Sequence, residues 1–249
     1  MRFILSLFLI LIFLAACDKV EYVNNPGGAE QLHNKPVGTS ANDLLASSKY
    51  SSLIVEVQYM PGFEPDASAL GHLQSFLSGV LNKPSGISIT STQIPAASNT
   101  SLNISQVFDI EKNNRRVFTS GSQIAVYVLY TNGNYADPNV LGAAYKNTSI
   151  VLFGKTIRDN SGSIGQVSRF KLEATVLEHE IGHLLGLVDL GSPMQTNHKD
   201  GAHGNHCNNS NCLMYYTSDT RDILGILLTG NIPSLDANCR ADLQANGGL

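Results

Sequence analysis

Basic blocks are missing from this 249-residue chain. Charged residues make up only 14% of it and the formal net charge is −4, so no face suited to nucleic acid or to an anionic membrane surface is expected. Cysteine is scarce. The four present, Cys17, Cys207, Cys212 and Cys239, exclude a disulfide-dense scaffold. No internal repeat and no second domain boundary is visible, and no Ser or Cys arrangement suggests a nucleophilic triad. The apolar run from Phe3 to Ala16, broken only by Ser6, is too short for a comfortable membrane span.

What that run offers is a leader. Arg2, the apolar stretch and the small residues ahead of Cys17 describe a secretory signal. Leu14-Ala15-Ala16-Cys17 resembles the bacterial lipobox, which implies cleavage before Cys17 and lipid attachment to its thiol. The expected organisation is a signal peptide over 1–16, a flexible Asn/Gly/Pro-containing tether over 17–39, and one domain over 40–249. The expected location is exported and membrane-anchored through acyl chains, at the periplasmic face or cell surface, and a monomer is expected. In such an oxidising compartment the simplest count for the three remaining cysteines is one bridge and one spare thiol.

The domain alternates elements. Ser40 can cap a short helix through Ser47. Alternating apolar and polar residues from Ser52 to Tyr59 predict a first strand, closed by Met60-Pro61-Gly62. Asp66 to Leu81 carries Leu70, Leu73, Phe76, Leu77, Val80 and Leu81 at helical spacing. Gly86–Ile94 reads as a more exposed strand and Ile104–Arg116 as a helix. Gln123–Thr131, the most apolar strand segment, is expected at the sheet centre. Leu141–Tyr145 and Ser149–Phe153 read as two strands joined by a turn, followed by a Gly/Ser loop over Asp159–Gly165 and a helix from about Ser168. Helix returns near Asp219–Leu228 and Ser234–Ala245. This is an α+β domain, a mixed twisted sheet with packed helices.

Chemistry concentrates in Leu177–Asp189. His179-Glu180-x-x-His183 places two imidazoles about 40° apart around a helix, where both can meet one cation. Glu180 stands beside them, positioned to reach a water on the metal. Apolar residues lie on both sides of this helix, so it is expected to be buried, where polar groups without partners are costly. The cofactor expected is Zn2+.

His179-Glu180-x-x-His183-x-x-Gly186-x-x-Asp189 resembles the signature of the metzincin zinc proteases. The resemblance implies a central active-site helix, Gly186 turning the chain, and an irregular C-terminal subdomain with a Met-turn. It also implies Asp189 as third zinc ligand, as in the snapalysin group. Asn211-Cys212-Leu213-Met214-Tyr215-Tyr216 resembles the Met-turn, which places Met214 below the metal and Tyr216 near it, where its hydroxyl would assist the oxyanion. Cys207-x4-Cys212-x-Met214 is similar to a piece of the archaemetzincin pattern. That family's later Cys-x-x-Cys pair is reduced here to Cys239, and Leu190–His206 looks like an insertion. A four-cysteine zinc site is therefore not expected, and a disulfide, Cys207–Cys212 or Cys212–Cys239, is. The inserted segment also holds His198, His203 and His206, so His198 or His206 stands as an alternative third ligand to Asp189.

The function so implied is a zinc-dependent peptidase, with Glu180 as general base and Leu141–Tyr145 as the sheet edge that binds extended peptide. The partners expected are a peptide or protein substrate and, through the anchor, a membrane. The alternatives are a catalytically silent surface-binding lipoprotein with a structural zinc, and a non-peptide amidase or sugar-linked hydrolase using the same water chemistry.

Overall fold

The computed structural model describes residues 31–249. The expected signal peptide, Cys17 and most of the tether lie outside the described residues. Among those described, no helix is long and apolar enough to cross a membrane.

In chain order come α1 (Ala41–Leu45), β1 (Ser52–Tyr59), α2 (Ala67–Val80), β2 (Ile87–Gln93), β3 (Ser101–Leu102), α3 (Ile104–Asn114), β4 (Gln123–Tyr130), β5 (Asn134–Tyr135), β6 (Gly142–Lys146), β7 (Ser149–Leu152), α4 (Gly154–Asp159) and α5 (Arg169–Leu184). A 3-10 turn (Tyr216–Asp219), α6 (Ile223–Thr229) and α7 (Ala237–Ala245) follow. The main sheet has the order β2-β1-β4-β7-β6. All its pairs are parallel except β6 with β7. It is a mixed α/β sheet, mostly parallel, with helices packed on it. The apolar β4 lies at its centre and is buried along nearly its whole length, as both-face burial of a parallel strand requires. The antiparallel β6 forms one edge, with β7 as its only strand neighbour among the described residues.

The polar half of the β1 alternation is buried too. Glu56 accepts hydrogen bonds from the backbone N–H groups of Arg116 and Val117, and Gln58 bonds Tyr127 and Asn114. The segment after α3 thus covers that face of the sheet and satisfies its polar groups. Two pieces escape the sequence pattern. The helix α4 occupies six residues next to the expected loop, and β3 pairs with β5 over two residues only. The helix expected from Asp219 begins at Ile223, after the 3-10 turn.

The expected tether also shortens. Within 31–39, His33 is 4% exposed, its Nδ1 lies 2.6 Å from Thr148 Oγ1, and Asn147 binds the carbonyl of Leu32. Packing therefore starts before Ser40. The backbone N–H of Thr119 donates to His33 Nε2, so that nitrogen carries no proton. Burial, with the Arg115 and Lys35 charges beside it, holds the imidazole down to about 3. A His with a depressed native value is neutral when folded and protonates when unfolded, so stability is lost as pH falls below about 6.5. Between pH 7 and pH 5 this group alone should remove about 2 kcal/mol. Denaturant unfolding of His33→Asn at those two pH values should show a correspondingly smaller acid loss; an unchanged loss would remove His33 from the account.

Candidate metal centre

The α5 helix runs through the middle of the molecule. From Leu172 to Leu184 every residue is buried, because one side meets α2 and the sheet while the other faces the C-terminal segment. It stops at Gly186, whose φ of 77° is the left-handed conformation glycine tolerates. Gly186 N–H donates to His183 O and Leu187 N–H to Gly182 O, a paired closure that satisfies the last carbonyls. A side chain at Gly186 would collide with Ser192 N and Ala41 Cβ. At Gly182 it would overlap Met214 Sδ, so Met214 packs directly against the helix.

Three imidazoles converge above that contact. His179 and His183 approach through their Nε2 atoms at 3.1 Å, and the His206 ring stacks on His179 with a centroid separation of 5.2 Å. One ligand atom from each of the three lies within 4.8 Å of the others. Two of the three tautomers are set from outside, while His183 Nδ1 is buried with no partner among the described residues. His179 Nδ1–H donates to Leu213 O at 2.8 Å, and His206 Nδ1–H to His203 O at 2.6 Å. Both Nε2 lone pairs then face inward. Burial pushes His179 and His183 below the ordinary histidine range, which keeps them neutral as ligands must be. His206 Nε2 is buried with no hydrogen-bond partner among the described residues. An orphaned imidazole nitrogen facing two others fits a divalent cation such as zinc.

Asp189 does not join this set. Val188 and Asp189 both adopt positive φ, 53° and 72°, rare for a β-branched residue. The Asp189 carboxylate is 60% exposed and ion-paired with Lys199 at 2.9 Å. The chain instead returns after the loop, pinned by Asn205 Nδ2 donating to Val188 O, and presents His206. Of the two alternatives named from the sequence, His206 is the one at the cluster.

Glu180 sits beside the histidines. Its Oε2 accepts the Ala144 N–H of β6 at 2.7 Å, while its Oε1 is buried and has no partner among the described residues. Burial, followed by the nearby Asp219 charge, pushes this carboxyl well above the usual carboxylate range. β6 comes this close because Gly142 has no side chain: a Cβ there would meet Val176 and Glu180. A cleft of about 350 Å³ opens along β6, lined by Gly142, Ala144, Tyr135, Glu180, His183 and Asp219 among others. Tyr216 is stacked on His203, the rings nearly parallel with centroids 3.7 Å apart, and is not among the residues lining that cleft.

A second cluster adjoins the first. Cys207, Cys212 and Cys239 are free and buried, so the expected disulfide is absent in either pairing. Cys212 and Cys239 Sγ are 3.6 Å apart, far beyond a bond of about 2.05 Å. The three sulfurs and Asp236 converge within 4.8 Å. His198 Nδ1 lies 3.4 Å from Cys207 Sγ and 3.9 Å from Cys239 Sγ, and its Nε2 is 2.8 Å from the buried Asp242 carboxylate. Backbone N–H groups of Met214 and Asp236 point at Cys212 Sγ. The contact with Cys207, then that with Cys239, brings the Cys212 thiol down to about 4. Three sulfurs drawn to one point, one of them held as thiolate, suit a metal better than a bridge, which engages two.

Sequence reading did not anticipate Asp219, Asp242 or the contact of His198 with the thiols. The one available signal was the adjacency of His206 and Cys207.

No protein-family model matches the chain, and neither does any curated protein. Among solved structures it is similar to an archaemetzincin from Methanopyrus kandleri. The TM-score is 0.49 with 15% sequence identity, covering 79% of this chain and 96% of that one. Likeness at that level supplies no residue-by-residue correspondence.

Proposed function

We propose that this chain is a zinc-dependent peptidase whose catalytic metal is held by His179, His183 and His206. The observation that carries the reading is the inward convergence of three imidazoles beside a buried carboxylate with one oxygen unpartnered. Bound there, zinc supplies a water of lowered pKa and polarises a substrate carbonyl. Glu180 does the proton work. Ala144 N–H fixes Oε2, leaving Oε1 to accept a proton and deliver it to the leaving amine. Among the described residues the edge strand β6 has one unpaired side, where an extended peptide adds as a further strand. Burial of α5 excludes bulk water from the far side of the histidines.

A second zinc is assigned to Cys207, Cys212, Cys239 and His198. His198 is preferred to Asp236 because both Asp236 oxygens are engaged, Oδ1 by the Cys239 N–H that it caps and Oδ2 by Asn209. The His198 ring is oriented by Asp242, the carboxylate–histidine arrangement common behind metal ligands. Export, lipid attachment at Cys17 and membrane anchoring belong to the same proposal and rest on the leader sequence.

The test is metal content and peptide cleavage by the purified domain. The parent should bind two zinc ions per chain and cleave. His206→Ala should lose one zinc and cleavage, whereas Asp189→Ala should keep both. A zinc-free folded parent, or loss through Asp189 rather than His206, overturns the assignment.

A further inference from the structure

We propose that Asp219 is a fourth protein ligand of the histidine metal centre, a carboxylate delivered from the turn beyond Met214; this rests on the reading of that centre as a metal site. Asp219 ends the 3-10 turn, and its position is fixed by its backbone. Its carbonyl accepts the Leu141 N–H at 2.8 Å, and the next residue, Thr220, bridges to Val140. Those contacts tie it to the chain entering β6, and it lines the same cleft as His183 and Glu180.

The side chain has no comparable employment. Asp219 Oδ1 is buried without a partner among the described residues. Oδ2 lies 3.8 Å from His206 Nε2, and ligand atoms of His179, Glu180 and Asp219 fall within 4.8 Å of one another. For metal–ligand bonds of 2.0–2.1 Å, the edge of a coordination tetrahedron is about 3.3 Å. The 3.1 Å between His179 and His183 and the 3.8 Å between His206 and Asp219 bracket that edge. Three atoms around this point, His206 Nε2, Glu180 Oε1 and Asp219 Oδ1, are buried and unpartnered. Leaving so many polar atoms unsatisfied is costly unless a cation completes them. Glu180 is already bound to Ala144 through its other oxygen, so Asp219 is the carboxylate free to coordinate. Three histidines and one carboxylate would then hold the metal, adding one negative charge to an otherwise neutral ligand set.

The experiment strips the full chain of metal and titrates it with Co2+. Thiolate charge-transfer bands report the cysteine site, and the bands lost in His179→Ala identify the histidine site. Asp219→Asn should weaken Co2+ binding at the histidine site by about 100-fold and alter its visible spectrum, with partial recovery in Asp219→Glu. Persistence of the thiolate bands shows that the variant is folded. Binding within threefold of the parent with an unchanged spectrum overturns the assignment of Asp219 while leaving the histidine centre intact. A parent that takes up no Co2+ at the histidines overturns the centre itself. A crystal structure of the zinc-loaded parent needs no variant: an Asp219 oxygen at 2.0–2.2 Å from zinc is expected, and one beyond about 3 Å refutes the ligand.

Discussion

Glu180→Gln should leave the fold and both metals in place and reduce peptide cleavage by roughly 10²- to 10⁴-fold. The amide has the shape of the carboxyl and keeps an oxygen to accept the Ala144 N–H. It cannot take up a proton. Because Glu180 is not among the assigned metal ligands, zinc content should not change. Stability should hold or rise, since the parent carries a buried carboxyl whose charged form is strongly disfavoured. The loss should appear in kcat more than in KM, as the proton moves in the transition state and β6 supplies ground-state binding. Cleavage within tenfold of the parent would remove Glu180 from the chemistry and favour a binding role for the domain.

Cys212→Ala should have the largest effect on folding. Cys212 Sγ receives two backbone N–H groups and meets Cys239 Sγ, so its loss removes a metal ligand and leaves donors buried. Zinc should fall from two ions per chain to one. The destabilisation should reach about 4–5 kcal/mol or more, the range reserved for metal and cavity losses. A chelator at concentrations that empty the thiolate site should reproduce it in the parent. The discriminating control is a reductant, which should do nothing to the metal-loaded protein. Unfolding that responds to reductant and ignores chelator would restore the disulfide and sink the second metal.

How much could be read beforehand follows from distance along the chain. His179, Glu180 and His183 were visible because a helix fixes their relation within one turn. The order and centrality of β4 followed from its unbroken apolar run. The third imidazole of the cluster was not visible. Counting three residues past Gly186 reaches Asp189, but two left-handed residues leave that carboxylate in solvent with Lys199. His206 arrives only because the loop after it is folded against Met214, through Cys207 N–H donating to Met214 O. The thiol cluster was half visible: Cys-x4-Cys is a local spacing, whereas His198, Cys239 and Asp242 join it through the fold. Asp219 had no local signature, since a lone acid in a polar turn is ordinary. The helix α4 was missed because six residues carry too little periodicity to stand out.

Cys207 directly follows His206, so one peptide bond joins the histidine cluster to the thiol cluster. His206 is therefore anchored from its far side, like a bridge deck held at the distant pier. Loop-closure cost grows only slowly with length, and the stretch between Leu190 and the residues around His198 contributes no side chain to the histidine cluster. Insertions of a few residues there should leave His206 in place, whereas a shift of register at Cys207 should displace it.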